Sequence, residues 1–174
     1  MMGEPVDHNC AQKGYNISAN AAILRPLSVG NLTLNSADPL EPLLFYPNYF
    51  DHPNDMIMTK EGLLYLKKFS ESETMQRLGI QLDVLYTEPC KYSGETWSDE
   101  WMECMIRQHT DAQNHQMGTA SIGTVVDTEL RVFNVDGLRV IDASVMPVQM
   151  TGNPQGAIMM VAEKGAYFIK NSVA

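Results

Sequence analysis

The chain has 174 residues, enough to bury a core as one domain. Its formal net charge of −9, with no run of basic residues to neutralise phosphates, argues against a nucleic-acid partner. No apolar run approaches the ~20 residues that a bilayer-spanning helix needs, so no membrane span is expected.

Residues 1–20 show no hydrophobic period and read as an unstructured leader, and Met1 to Tyr15 is polar with no export-signal core. Asn16-Ile17-Ser18 and Asn31-Leu32-Thr33 match the N-glycosylation sequon. Ile23-Leu24 and Leu32-Thr33-Leu34 flank a Ser28-Val29-Gly30-Asn31 turn, a pattern that predicts a hairpin. The proline-rich stretch from Ala37 to Pro53 reads as an extended loop packed on a core through Leu43, Leu44, Phe45, Tyr46, Tyr49 and Phe50. Met56, Ile57, Leu63, Leu64 and Leu66 predict a helix from Asn54 to about Ser70, weakened by Gly62, and a short helix is expected from Thr74 to Gly79.

Ile80, Leu82, Val84 and Tyr86 then alternate with Gln81, Asp83 and Leu85, as in a strand with one partly buried face. Ser98 is placed to cap a helix with Asp99 and Glu100 in its first turn and Trp101, Met102, Met105, Ile106 and His109 on its apolar side. Leu138, Val140 and Ile141 read as a buried strand ending in Asp142-Ala143-Ser144. Asn153 suits an N-cap and Pro154 the first position of a last helix, whose apolar face is Ile158, Val161, Ala162, Gly165 and Ile169, with Lys164 and Lys170 toward its C-terminal end. Strands interspersed with helices imply an α+β fold, a mostly antiparallel sheet covered by helices, occupying residues 21–172.

His109 and His115 suit no common helical face and bring no acidic or cysteine ligands, so no metal site is expected, and His8 and His52 read as surface residues.

Several motifs occur in a fixed order: His115-Gln116-Met117-Gly118-Thr119, Val125-Val126-Asp127 with Leu130-Arg131-Val132, Gly137 to Ser144 with Met146-Pro147, Gly152-Asn153, and Ala162-Glu163-Lys164-Gly165-Ala166. Together they resemble the C-terminal signature of the glucose-methanol-choline (GMC) oxidoreductases, most closely the insect glucose dehydrogenase and ecdysone oxidase branch. The resemblance extends back through Leu24-Arg25-Pro26 and Leu34 to Pro39 and covers roughly residues 20 to 172. Gln116 stands where the family usually has proline, and Ala120 where it commonly has cysteine.

The resemblance implies a substrate domain whose last strand and helix belong to the FAD-binding domain of complete members. It implies FAD as cofactor and a small-molecule alcohol, of sugar or sterol class, as substrate. Oxidising an alcohol needs a base for the hydroxyl proton while a hydride leaves carbon, and a neutral imidazole suits that task. The family's catalytic histidine matches His115, and its second catalytic position matches Asn153, whose amide is suited to orient the substrate oxygen. Asp142 and Ala143, with Pro154 and Gln155, match positions that approach the flavin nucleotide. Cys90 and Cys104, close enough in sequence to close a short loop, have counterparts in the resembling branch and imply a disulfide in a secreted parent. Cys10 is then left over as an incidental thiol.

A Gly-x-Gly-x-x-Gly turn after a strand, which would hold the dinucleotide pyrophosphate, does not occur in this sequence. The expected partner is therefore an N-terminal FAD-binding region. The alternative expectation is a catalytically inactive, truncated remnant that serves as a binding or interaction module.

Overall fold

The computed structural model describes residues 18–82, 84 and 88–172. Strand β1 (Asn31–Thr33) pairs antiparallel with β2 (Leu44–Tyr46), Asn31 lying opposite Tyr46 and Thr33 opposite Leu44. The hairpin expected around residues 28–31 does not form. Residues 23–24 stay irregular, and the partner of β1 comes from the proline-rich stretch that reads as a loop. The physical reason is a competing carboxylate: Asp55 accepts the amide hydrogens of Leu27 at 2.9 Å and Ser28 at 2.8 Å, tying this segment to the following helix.

That helix, α1 (Pro53–Ser70), begins one residue before the predicted start, with His52 as its N-cap accepting from the Asn54 amide. Asp55 is 1% exposed and also accepts from the Ser28 hydroxyl at 2.5 Å, so its buried charge is met by donors on several sides. Gly62, a weak helix former, has a packing role: a Cβ there would lie 2.8 Å from the Ala21 Cβ. The short α2 (Glu73–Arg77) follows. Ile80, Gln81, Leu82 and Val84 do not form the predicted strand, and Asp83, Leu85 and Tyr86 lie outside the described residues.

Helix α3 (Asp99–His109) starts at Ser98, whose hydroxyl accepts from the Trp101 amide, and buries Trp101, Met102 and Ile106 as its sequence requires. His109, expected on the apolar side, is exposed in the last turn, where the helix dipole favours a basic group. Two ties hold α3 in place. Cys90, fully buried at the end of a 3-10 turn (Glu88–Cys90), forms a disulfide with Cys104 across a Cα separation of 5.6 Å, and a loop of this length restricts the unfolded chain by ~3 kcal/mol. Lys60 of α1 reaches Asp99 at 2.7 Å and Glu103 at 3.3 Å.

Residues 118–145 then form a compact unit of turns and isolated bridges, Val126 with Val132 and Arg131 with Arg139, around a core of Val126, Leu130 and Val145. The predicted strand at 138–141 is reduced to that single bridge, and Leu138 is 48% exposed where burial was expected. Its bonds run to one side only, from Val132 to the Leu138 carbonyl and from Val140 to the Leu130 carbonyl, so it is not enclosed as a central strand would be. Helix α4 (Gln155–Ser172) packs on this unit through Val161 and Phe168, and Gly165 is buried against Ile141. Four helices and a small antiparallel sheet among the described residues agree with the α+β class.

Candidate functional site

The segment carrying His115 leaves α3 through Thr110 and reverses at Gln113 and Asn114, both with left-handed φ values, 50° and 57°. The His115 amide donates to the Ala112 carbonyl at 3.1 Å, which closes the turn. The ring is partly buried, and among the described residues no hydrogen bond engages it.

From Gly118 onward the chain is bonded to the turn that follows Ile141. The amides of Gly118, Ala120 and Ile122 donate to the carbonyls of Ala143, Ser144 and Val145 at 3.4, 2.9 and 3.0 Å. Gly118 has φ +88°, and a Cβ there would stand 3.2 Å from the Met146 carbonyl, so both backbone angle and space favour glycine. The 3-10 turn itself (Ala143–Val145) is capped by Asp142, whose carboxylate accepts from the Ser144 amide at 2.8 Å and from the Ser144 hydroxyl. Asp142 is exposed and Ala143 partly buried.

The third part is the start of α4. Its first internal bond runs from the Ile158 amide to the Pro154 carbonyl at 2.9 Å, which makes Pro154 the half-helical residue and moves the cap one position beyond the predicted Asn153. Pro154 is buried, whereas Asn153, Gln155 and Gly156 are exposed, and no hydrogen bond among the described residues engages the Asn153 amide. The first turn, with Gln155 and Gly156 exposed, leaves N–H groups without intrahelical partners at the positive end of an 18-residue helix dipole.

The chain from Gly118 to Ile122 and the turn Ala143–Val145 are thus joined by one ladder of hydrogen bonds, and Ile141 packs against Gly165 in the middle of α4. Two surface hollows lie elsewhere, one beside the disulfide with Glu100, Glu103 and Arg107 on its wall, the other bounded by Asp127, Arg131, Phe133 and Leu138. None of the candidate residues lines either hollow. No group of three or more His, Cys, Asp or Glu among the described residues is arranged to hold a metal ion. Sequence reasoning placed Ser144 at a strand end rather than in a capped turn, and did not single out Asp55. The Asp-x-Ser spacing at 142–144 is a recognisable Asx-turn signal, while the contact of Asp55 with Leu27 and Ser28 is long-range and leaves no local pattern.

The profile described as GMC oxidoreductase matches residues 26–162, and the chain belongs to that family. It is similar to glucose dehydrogenase (FAD, quinone) of Drosophila melanogaster, 38% identical over 98% of this chain and 28% of the relative. It is also similar to ecdysone oxidase of Bombyx mori, 32% identical over 94% of this chain and 24% of the relative. Among solved structures, a formate oxidase superposes with a TM-score of 0.75 at 30% identity, covering 86% of this chain and 26% of that one. A fungal aryl-alcohol oxidase gives 0.70 at 31% identity, covering 86% and 24%. The chain spans about a quarter of the length of the relatives it matches.

Proposed function

We propose that this chain is the substrate-domain and C-terminal portion of an FAD-dependent oxidoreductase that oxidises a CH–OH group. The observation that carries the reading is the bonded unit just described, in which the chain following His115 is held to the Asp142 turn and the neighbouring Ile141 packs against Gly165 in the middle of α4. The exposed N-terminus of α4, with the small Gly156 in its first turn, suits a flavin, a group that gains negative charge on reduction.

Bound there, FAD would supply a hydride acceptor. His115 takes the hydroxyl proton onto its imidazole, which is free of hydrogen bonds to the described protein. Asn153, released from capping, donates its side-chain amide to the substrate oxygen and fixes the alcohol for transfer. Gln155 and the turn of Asp142 and Ala143 would hold the nucleotide, and the buried Pro154 anchors the helix that carries Gln155.

The partner assigned to the outer face of α4 is the FAD-binding region of the complete enzyme. Met159, Met160 and Tyr167 on that face are 60%, 66% and 57% exposed, an apolar surface that suits a cover. The Cys90–Cys104 disulfide supports a secreted enzyme, since such bonds persist in oxidising compartments, and no helix among the described residues is long and apolar enough to cross a membrane.

The names of the relatives direct the first substrate screen to sugars and hydroxylated steroids. Anaerobic mixing of the complete enzyme with each alcohol tests the reading: bleaching of the oxidised flavin band by at least one supports it, and a flavin that none of a broad alcohol panel reduces contradicts it.

A further inference from the structure

We infer that Asn31 carries an N-linked glycan. The residues Asn31-Leu32-Thr33 satisfy the acceptor sequon, and neither Leu32 nor Leu34 is a proline that would block it. A sequon is a weak signal by itself, and the fold adds what the motif lacks. The three residues are the whole of β1, and all three are exposed. Among the described residues, no hydrogen bond engages the Asn31 side-chain amide or the Thr33 hydroxyl, the two groups that the transfer reaction uses. The strand enters at Gly30, where a Cβ would stand 2.8 Å from the Pro47 Cα, so the start of β1 is held closely against the chain after β2. Within the described residues Asn31 is therefore presented from a fixed and open position.

A second, independent observation concerns compartment. The Cys90–Cys104 disulfide joins a fully buried cysteine to α3, and a structural bond of this kind forms in the same oxidising lumen in which N-glycosylation occurs. Disulfide formation and glycan transfer to the sequon thus belong to one compartment.

The co-reactant is an oligosaccharide attached through its anomeric carbon to a polyprenyl diphosphate, acted on by a lumenal transferase. The Asn31 Nδ2 attacks that carbon. A C–N bond forms as the C–O bond to diphosphate breaks, the lipid diphosphate leaves with the electron pair, and the amide gives up one proton. Nothing is oxidised or reduced. In the folded protein the glycan stands over a short strand that has β2 as its one neighbour among the described residues, beside Leu32, Phe45 and Tyr46, which are 40%, 48% and 46% exposed. A bulky hydrophilic group there would block edge-to-edge pairing and screen apolar surface. The inference does not depend on the oxidoreductase reading.

The test is peptide mass spectrometry on the native protein, digested without reduction and treated with the amidase that converts a glycosylated asparagine to aspartate. Asn31 appearing as aspartate only after that treatment, together with a disulfide-linked Cys90–Cys104 peptide, is the expected result. A parallel N31Q variant, expressed through the secretory route of a eukaryotic cell with Asn16 also replaced by glutamine, is expected to migrate faster on gels than the N16Q control and to ignore glycosidase. An Asn31 peptide found only as unmodified asparagine overturns the inference. The state of the cysteines then shows whether the compartment or the accessibility of β1 was misjudged.

Discussion

Ile141 closes on Gly165 so tightly that a Cβ added to the glycine would lie 2.9 Å from the Ile141 Cδ1. This is where α4 is seated on the unit that holds the His115 segment. A glycine in the middle of an 18-residue helix carries a propensity cost of ~1 kcal/mol relative to alanine, which the close approach offsets.

Gly165→Ala should therefore destabilise the protein by ~1–3 kcal/mol, although alanine is the better helix former. Urea unfolding of the single variant and of Gly165→Ala with Ile141→Val measures it. The shortened side chain at 141 is expected to recover part of the loss, and equal midpoints for wild type and Gly165→Ala would show that the contact is not tight.

Asp55 anchors the start of α1 to Leu27 and Ser28. Burial pushes its pKa up, but the Ser28 hydroxyl, the Leu27 and Ser28 amides and the nearby His52 outweigh burial and hold the carboxyl below its ordinary value. A depressed folded value means that the stabilisation is complete above the unfolded pKa and is lost as pH falls through the lower folded one. Asp55→Asn should cost ~2–4 kcal/mol at neutral pH by weakening charge-assisted bonds and leaving buried donors short of an acceptor. The gap between variant and wild type should narrow below about pH 4. Denaturation midpoints across an acid pH series read it directly, and a gap that stays constant would remove the carboxylate from the account.

The 174-residue chain alone is expected to bind FAD weakly or not at all, because its sequence contains no Gly-x-Gly-x-x-Gly turn to receive the pyrophosphate. Titration followed by flavin fluorescence checks this. Stoichiometric, tight quenching would mean that the Asp142 turn and the α4 start suffice to hold the nucleotide.

The helices were legible because their signals are local: Ser98 before Asp99 and Glu100 for α3, and periodic apolar residues for α1 and α4. The family was legible through ordered motifs, and the candidate residues rest on those motifs. The strands were less so. β1 pairs with residues 44–46 rather than 23–24 because Asp55 captures Leu27 and Ser28, a contact made across more than twenty positions of chain. The Leu138 to Ile141 segment has the apolar run of a buried strand, yet its backbone is bonded on one side and Leu138 remains exposed. The cap of α4 moved from Asn153 to Pro154 for a reason no propensity reveals: the proline ring is buried, and its carbonyl takes the first helical bond. That shift leaves the Asn153 amide open to a ligand.

The most direct test of the central claim is the rate of flavin reduction by an alcohol substrate in the complete enzyme carrying His115→Ala, compared with wild type by rapid mixing. If His115 is the proton acceptor, the flavin spectrum is retained and reduction slows by ~10²–10⁴-fold at neutral pH, with the loss diminishing as pH rises and hydroxide deprotonates the alcohol. A variant that binds flavin normally and is reduced at the wild-type rate would contradict the assignment of His115 and the reading built on it.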